Sequence, residues 1–312
     1  ETGSNNTIND TSVFEFNVTG LMPYIEYSIV ISACTAGDCG SSQQTKMRTL
    51  GANPSDQPSP TAKAVSATAL RVEWDPPSRP NGEIRRFELF RMTLDDPTNP
   101  NFTATHTFVK LTLTSNIAQF YDDTGLGIYS LHQYKVTVFT SEGNSTSLPS
   151  LGFRTGPSPP LSGPNVTAKA FNHTSVLVTW SPPVLSLLRG AVKAYTVSYE
   201  HVTSSTKLRF GTVTGNVTSL VVTQLKPSSD YRFWVKLDNG AGEKESDPVT
   251  ERTQDGAPEG FAAPILYSES STVIRVSWTS PTTPNGQISA YKIYANNMLR
   301  VNASANQRVA SV

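Results

Sequence analysis

Three times in this chain a tryptophan closes an alternating strand and runs straight into a proline-bearing turn. The segments are Leu70-Arg-Val72-Glu-Trp74-Asp-Pro-Pro, Val176-Leu-Val178-Thr-Trp180-Ser-Pro-Pro and Ile274-Arg-Val276-Ser-Trp278-Thr-Ser-Pro. The indoles stand 106 and 98 residues apart. In each segment apolar and polar residues alternate, so the Trp and its apolar companions share one face, as a strand buried on one side requires. A fixed period of this kind in a 312-residue chain means one structural unit copied along it.

Two further landmarks keep step with the indoles. A tyrosine opens a later strand at Tyr27, Tyr134 and Tyr231, spaced 107 and 97. Around Tyr27 and Tyr231 the pattern is Leu-x-Pro-x-x-x-Tyr, beginning at Leu21 and Leu225. That is the pattern of a tyrosine corner, in which the ring packs inward and the hydroxyl returns to the backbone just upstream. At Tyr134 the interval from Leu126 is eight residues and the proline is missing, so a lengthened or altered corner is expected there. An Arg-Thr pair then closes each unit, at Arg48-Thr49, Arg154-Thr155 and Arg252-Thr253.

Between the landmarks the sequence reads as short strands and turns. Ile84 to Phe87, Val192 to Tyr195 and Ile288 to Tyr291 open a third strand. Pro-Asn-Gly at 80–82 and 284–286 reads as a hairpin-type turn, because Asn and Gly tolerate positive φ. Helical periodicity is missing, so the expected class is an all-β sandwich of about seven strands per unit. With its Trp strand, its Leu-x-Pro-x-x-x-Tyr corner and its closing Arg-Thr, the unit resembles the fibronectin type III module. The fold class that follows is tandem fibronectin type III, immunoglobulin-like β-sandwiches. The loop Ala33-Cys34-Thr-Ala-Gly-Asp-Cys39 and the Pro-Pro-x-x-Pro-Asn-Gly run resemble the repeats of very long extracellular-matrix and cell-surface glycoproteins. The resemblance implies membrane-anchored fibrous links and basement-membrane association in sensory cells of ear and eye.

Residues 51–156 and 157–256 read as complete modules. Residues 4–50 carry only later strands (E to G), beginning with Phe14-Phe16-Val18, and residues 257–312 only earlier ones (A to C′). Neither half buries its apolar face alone, so the two are expected to be frayed ends or to complete one another between copies, head to tail or swapped.

Cys34 and Cys39 are the only cysteines. They flank a four-residue loop between antiparallel strands, a spacing that suits a disulfide, and zinc would lack ligands. Nine Asn-x-Ser/Thr sequons occur, at Asn5, Asn9, Asn17, Asn101, Asn144, Asn165, Asn172, Asn216 and Asn302. All but Asn17 are expected in or beside turns, with Asn17 outward on a strand; the set points to N-glycosylation and the secretory pathway. In Tyr231-Arg-Phe233-Trp-Val235-Lys-Leu237 alternation turns Trp234 outward between Arg232 and Lys236. The three are candidates for a protein contact, although cationic stems on neighbouring strands covering the ring are the simpler explanation.

No catalytic, cofactor or metal site is expected. Asp122-Asp123 and Asp95-Asp96 lack calcium-loop spacing and read as turn starters. His106, His132, His173 and His201 are scattered, and no nucleophile elbow, zinc helix or phosphate loop occurs. Arg189-Gly190-Ala191 lacks the acid of Arg-Gly-Asp. Lys+Arg and Asp+Glu are 25 each, so there is no basic field for nucleic acid, and no window is apolar for long enough to cross a bilayer. The expectation is a non-enzymatic extracellular spacer, stiffened by Pro-rich linkers at 54–60 and 156–160, with other extracellular proteins as partners and no direct membrane contact. The alternative is a ligand-binding stretch of a receptor ectodomain.

Overall fold

The computed structural model describes residues 8, 12, 15–95, 104–113, 115 and 117–312. It divides into two compact units, Glu1–Gly156 and Pro157–Val312, and each is described by itself.

In the first unit, β1 (Glu26–Ile29) is followed by β2 (Ser32–Cys34), β3 (Cys39–Ser41) and β4 (Thr45–Arg48). β1 pairs β4, and β2 pairs β3. Residues 15–19 lie outside any strand, so Asn17 is not on the strand expected there; Phe14 falls outside the described residues. Next come β5 (Thr61–Ser66), β6 (Ala69–Glu73), β7 (Ile84–Thr93), β8 (Val109–Lys110), β9 (Phe120–Asp123), β10 (Leu131–Thr140), β11 (Asn144–Thr146) and β12 (Phe153–Arg154). They form one sheet in the order β5-β6-β9 and a second in the order β11-β10-β7-β8, with β12 also on β10. Leu70, Val72 and Trp74 from the first sheet meet Phe87, Leu89, Tyr134, Val136 and Val138 from the second. The alternation read from the sequence is what allows this: every second residue faces the partner sheet.

The second unit repeats the plan. β13 (Asn165–Asn172) and β14 (Ser175–Ser181) precede a single helical turn α1 (Leu185–Leu188). β15 (Ala194–His201), β16 (Leu208–Thr214), β17 (Ser219–Val222), β18 (Asp230–Asp238), β19 (Glu243–Glu245) and β20 (Val249–Arg252) follow. The sheets run β13-β14-β17 and β16-β15-β18-β19, with β20 on β18. The chain continues through β21 (Ile265–Ser268), β22 (Ile274–Ser277), β23 (Ala290–Ala295), β24 (Met298–Ser304) and β25 (Val309–Ser311). β25 joins β21 and β22 in one sheet, a strand the sequence reading did not place. Val309-Ala310-Ser311 holds one bulky apolar residue and so shows no alternation. The Pro-Asn-Gly turns are not hairpins either: β6 and β7 lie in different sheets, as do β22 and β23, so each turn carries the chain across the sandwich.

Trp74, Trp180 and Trp278 occupy equivalent places. They are 4%, 5% and 7% exposed, and their backbone N–H groups donate to Gln119, Thr218 and Arg308 carbonyls at 3.0, 2.9 and 3.1 Å. Each packs against the aromatic residue that opens the next strand: Phe87 at 6.1 Å, Tyr195 at 5.4 Å and Tyr291 at 5.5 Å. Phe87 does this without a hydroxyl, whereas the buried hydroxyls of Tyr195 and Tyr291 have no hydrogen-bond partner. An unpaired buried hydroxyl costs about 1–3 kcal/mol. Tyr195→Phe is therefore expected to leave stability unchanged or raise it, read as an equal or higher urea midpoint of the whole chain; a loss above ~1 kcal/mol would show that the hydroxyl does find a partner.

Candidate functional site

Arg-Thr closes each unit because the threonine ties the corner. Thr49, Thr155 and Thr253 hydroxyls donate to the carbonyls of Met22, Gly127 and Lys226 at 2.7, 2.8 and 2.7 Å. The same hydroxyls accept from the N–H groups of Ile25, Ser130 and Ser229 at 3.1, 2.9 and 3.0 Å. This triple correspondence fixes the register, and it moves one landmark. Tyr27, His132 and Tyr231 are the equivalent residues, facing Met47, Phe153 and Glu251 across the sheet. The corner of 51–156 is thus not lengthened around Tyr134. It keeps the six-residue interval from Leu126 and carries histidine.

The substitution changes the chemistry. Tyr27 and Tyr231 hydroxyls accept from the Met22 and Lys226 N–H groups at 2.8 and 2.9 Å. His132 is 2% exposed and instead lies between two hydroxyls, Nε2 2.7 Å from Ser130 Oγ and Nδ1 3.2 Å from Thr93 Oγ1. Ser130 Oγ donates to the Gly127 carbonyl at 2.7 Å, so it accepts from Nε2–H, and Nδ1 accepts from Thr93. Burial, assisted by the Arg91 charge, pushes the imidazole down to about 4. Arg91 is held by Asp123 at 2.7 Å, and the Tyr134 hydroxyl donates to the same carboxylate at 2.8 Å. Burial and that carboxylate together raise the phenol well above its usual range.

The described members of the two acidic pairs are likewise partnered. Asp122 accepts two bonds from Arg71 at 2.7 Å each, which lowers its carboxyl. Asp95 lies 3.4 Å from His106; Asp96 falls outside the described residues. His201 sits edge-on to Tyr231 at 5.1 Å. Among the described residues no three His, Cys, Asp or Glu side chains gather as a metal site, and no helix is long and apolar enough to cross a membrane.

Junctions between successive sandwiches show a second repeated device. In the first unit the Ala52 N–H donates to the Asn81 carbonyl at 2.9 Å, and Asn81 Nδ2 donates to the Asn53 carbonyl at 2.8 Å. In the second unit Gly256 and Asn285 repeat the first bond at 2.7 Å, and Asn285 Nδ2 reaches the Ala257 carbonyl at 2.7 Å. Both asparagines have φ 51°, the left-handed region that Asn tolerates better than most residues. The fit is close: a Cβ on Gly51 would lie 2.3 Å from Glu142 Cγ. The Asn of Pro-Asn-Gly is therefore a clasp on the incoming linker. At the start of 157–256 the Arg189 carbonyl accepts from Ser158 at 2.9 Å, and Asn239 supplies the side-chain amide.

Trp234 points away from the core, since Tyr231, Phe233, Val235 and Leu237 take the buried positions. Its cover comes from a residue not singled out in the sequence. Lys207, just before β16, lies 4.1 Å above the indole and reaches Glu245 beside β18 at 2.7 Å. Arg232 pairs with Glu200 at 2.9 Å and Lys236 with Glu243 at 2.6 Å. Such contacts contribute about 0.5–1 kcal/mol or less each at a surface, so the ring is screened but readily uncovered.

Cys34 and Cys39 are bonded across the β2–β3 pair, with Cα atoms 4.0 Å apart. Asn17, Asn144, Asn165, Asn216 and Asn302 are exposed and Asn172 is half-buried. Asn302 lies inside β24 and not beside a turn. Asn5, Asn9 and Asn101 fall outside the described residues.

Two facing antiparallel sheets of orders A-B-E and C′-C-F-G, an inward Trp and a tied corner define the fibronectin type III kind of β-sandwich. Residues 158–252 match the fibronectin type III domain family, and the chain belongs to that family as a run of such repeats. It is similar to usherin of Homo sapiens, 32% identical over 298 residues, covering 93% of this chain and 6% of usherin. It is 29% identical to phosphatidylinositol phosphatase PTPRQ of Rattus norvegicus over 285 residues, 89% of this chain and 12% of that protein. Protein sidekick-2 of Gallus gallus is 28% identical over 307 residues, 89% of this chain and 14% of that protein. The chain thus spans a small part of the length of each relative.

Proposed function

We propose that this segment is a non-enzymatic adhesive spacer in the ectodomain of a large extracellular glycoprotein of the usherin type. The observation that carries the reading is one sandwich repeated along the chain, with the linker clasped by the following module in each unit. Such a segment holds distant binding sites apart and meets other extracellular proteins. The finer form of the proposal, which the likeness to usherin supports, is a membrane-anchored fibrous link and basement-membrane role in sensory cells. Self-association belongs to the same proposal: among the described residues β1 pairs only β4 and β23 only β24, whereas β10 and β18, the counterparts of β1 in the complete sandwiches, also pair β7 and β15. β1 of one copy would add to β23 of another.

The second reading, ligand recognition, rests on Trp234 and the three cations around it. Pull-downs from sensory-tissue membranes with the whole chain and with Trp234→Ala separate the two. Unchanged capture favours the spacer; loss of one specific ligand on substitution favours a receptor and overturns it.

A further inference from the structure

We propose that N-glycans on this segment act as guards of its open sheet edges. The inference rests on the extracellular glycoprotein reading above. Six sequons lie among the described residues, and five of them share one property. Asn144 stands on β11, Asn165 and Asn172 at the two ends of β13, Asn216 in the turn directly after β16, and Asn302 inside β24. Among the described residues β11, β13, β16 and β24 each have a single strand neighbour, β10, β14, β15 and β23 respectively. At the Asn172 end of β13, however, the outer edge is already engaged, with the Ala170 N–H donating to Glu251 at 2.9 Å and the Gln254 N–H to the Asn172 carbonyl at 3.3 Å. None of the six is on a strand paired on both sides, such as β6, β7, β10, β14, β15, β18 or β22. Asn17, outside any strand, is the exception.

An edge strand presents a row of unpaired N–H and C=O groups that templates pairing with another chain. The hazard grows in a tandem array, where sheets of one fold share a single chain at high local concentration and misassembly between repeats is a common failure. The exposed side chains of Asn144, Asn165, Asn216 and Asn302 leave the attachment point open. In glycosylation the asparagine amide nitrogen bonds to the anomeric carbon of an oligosaccharide. The carbon–oxygen bond to a lipid diphosphate donor breaks, the diphosphate leaves with the electron pair, and the amide loses a proton. The product is a hydrated branched group far larger than the strand beneath it, and it denies a second strand the approach needed for backbone pairing. Asn172 differs, because its Oδ1 accepts from the Thr174 N–H and the Ser175 hydroxyl at 2.8 Å each, so substitution there would disturb the turn.

The test uses the whole chain secreted from glycosylating cells, with site occupancy read by glycopeptide mass spectrometry and association by sedimentation velocity. Asn144, Asn165, Asn216 and Asn302 are replaced together by Gln, and Asn17→Gln serves as the off-edge control. The fourfold Gln variant is expected to shift to larger, concentration-dependent species relative to the parent chain while the control does not. A fourfold Lys variant is expected to return to the parent distribution, because charge on an edge also blocks pairing. Circular dichroism confirms that each variant is folded. A fourfold Gln variant that sediments like a fully occupied parent overturns the guard role, as does a Lys variant that associates equally. Bare edge sites with Asn17 occupied also overturn it. A chain bare at every sequon instead overturns the extracellular glycoprotein reading on which it rests.

Discussion

Lowering the pH from 7 to 4 is expected to remove about 3 kcal/mol of stability from residues 51–156 through His132 alone. The sign follows from which state holds the proton. In the unfolded chain the imidazole titrates near the ordinary histidine value of about 6.5, whereas in the folded sandwich burial and Arg91 bring it to about 4. Between those values the unfolded state binds more protons, so stability is complete above the unfolded value and falls as pH drops through the window. About 2 kcal/mol should already be lost at pH 5. Protonation would also force Nδ1 to donate where it now accepts from Thr93. The check is urea unfolding of the whole chain at several pH values, followed by hydrogen exchange in peptides from β10. His132→Tyr, which restores the residue found at the other two corners, should flatten the dependence; an unchanged slope would show that other groups cause it.

Trp180→Ala is expected to cost about 3–5 kcal/mol, the range for emptying a core indole site. It would come close to unfolding its sandwich, because single domains have only about 5–15 kcal/mol in hand. Trp180 is nearly fully buried between the sheets and against Tyr195, so truncation leaves a cavity that a paired β-scaffold cannot collapse. Trp234→Ala should cost under about 1 kcal/mol, since only a screened outer contact with Lys207 is lost. Urea midpoints of the two variants settle the contrast. Equal losses would mean that Trp234 packs as core, and the outward face described above would be wrong.

The sandwich was legible because burial on one side writes itself into the sequence as alternation. Leu70, Val72 and Trp74 could be assigned to one face without any coordinates, and so could their counterparts in the other repeats. The same period of two misled at the corner: Tyr134 lies two residues beyond His132, on the same face, and a tyrosine there looks like the landmark. The signal that would have found His132 was the constant six-residue interval from the leucine, which outweighs residue type because the closing threonine sets it through backbone bonds. Lys207 could not be read as the cover of Trp234, since it reaches across β15 from the edge and depends on which strands are neighbours. Pro-Asn-Gly announced a turn, but not that its asparagine would hold a backbone segment from outside the strands it joins.

That asparagine bears on how pulling would be transmitted. A linker free to swing absorbs extension as slack before any folded part feels it. Here the peptides entering the sandwiches of 51–156 and 257–312 are each stitched to that sandwich's own crossover loop by two bonds on opposite sides of one residue, Asn81 or Asn285, so little slack is left to draw out. Reach within each unit then comes from folded thickness and not from coil, and changing Asn81 or Asn285 would soften the tether without altering either sandwich.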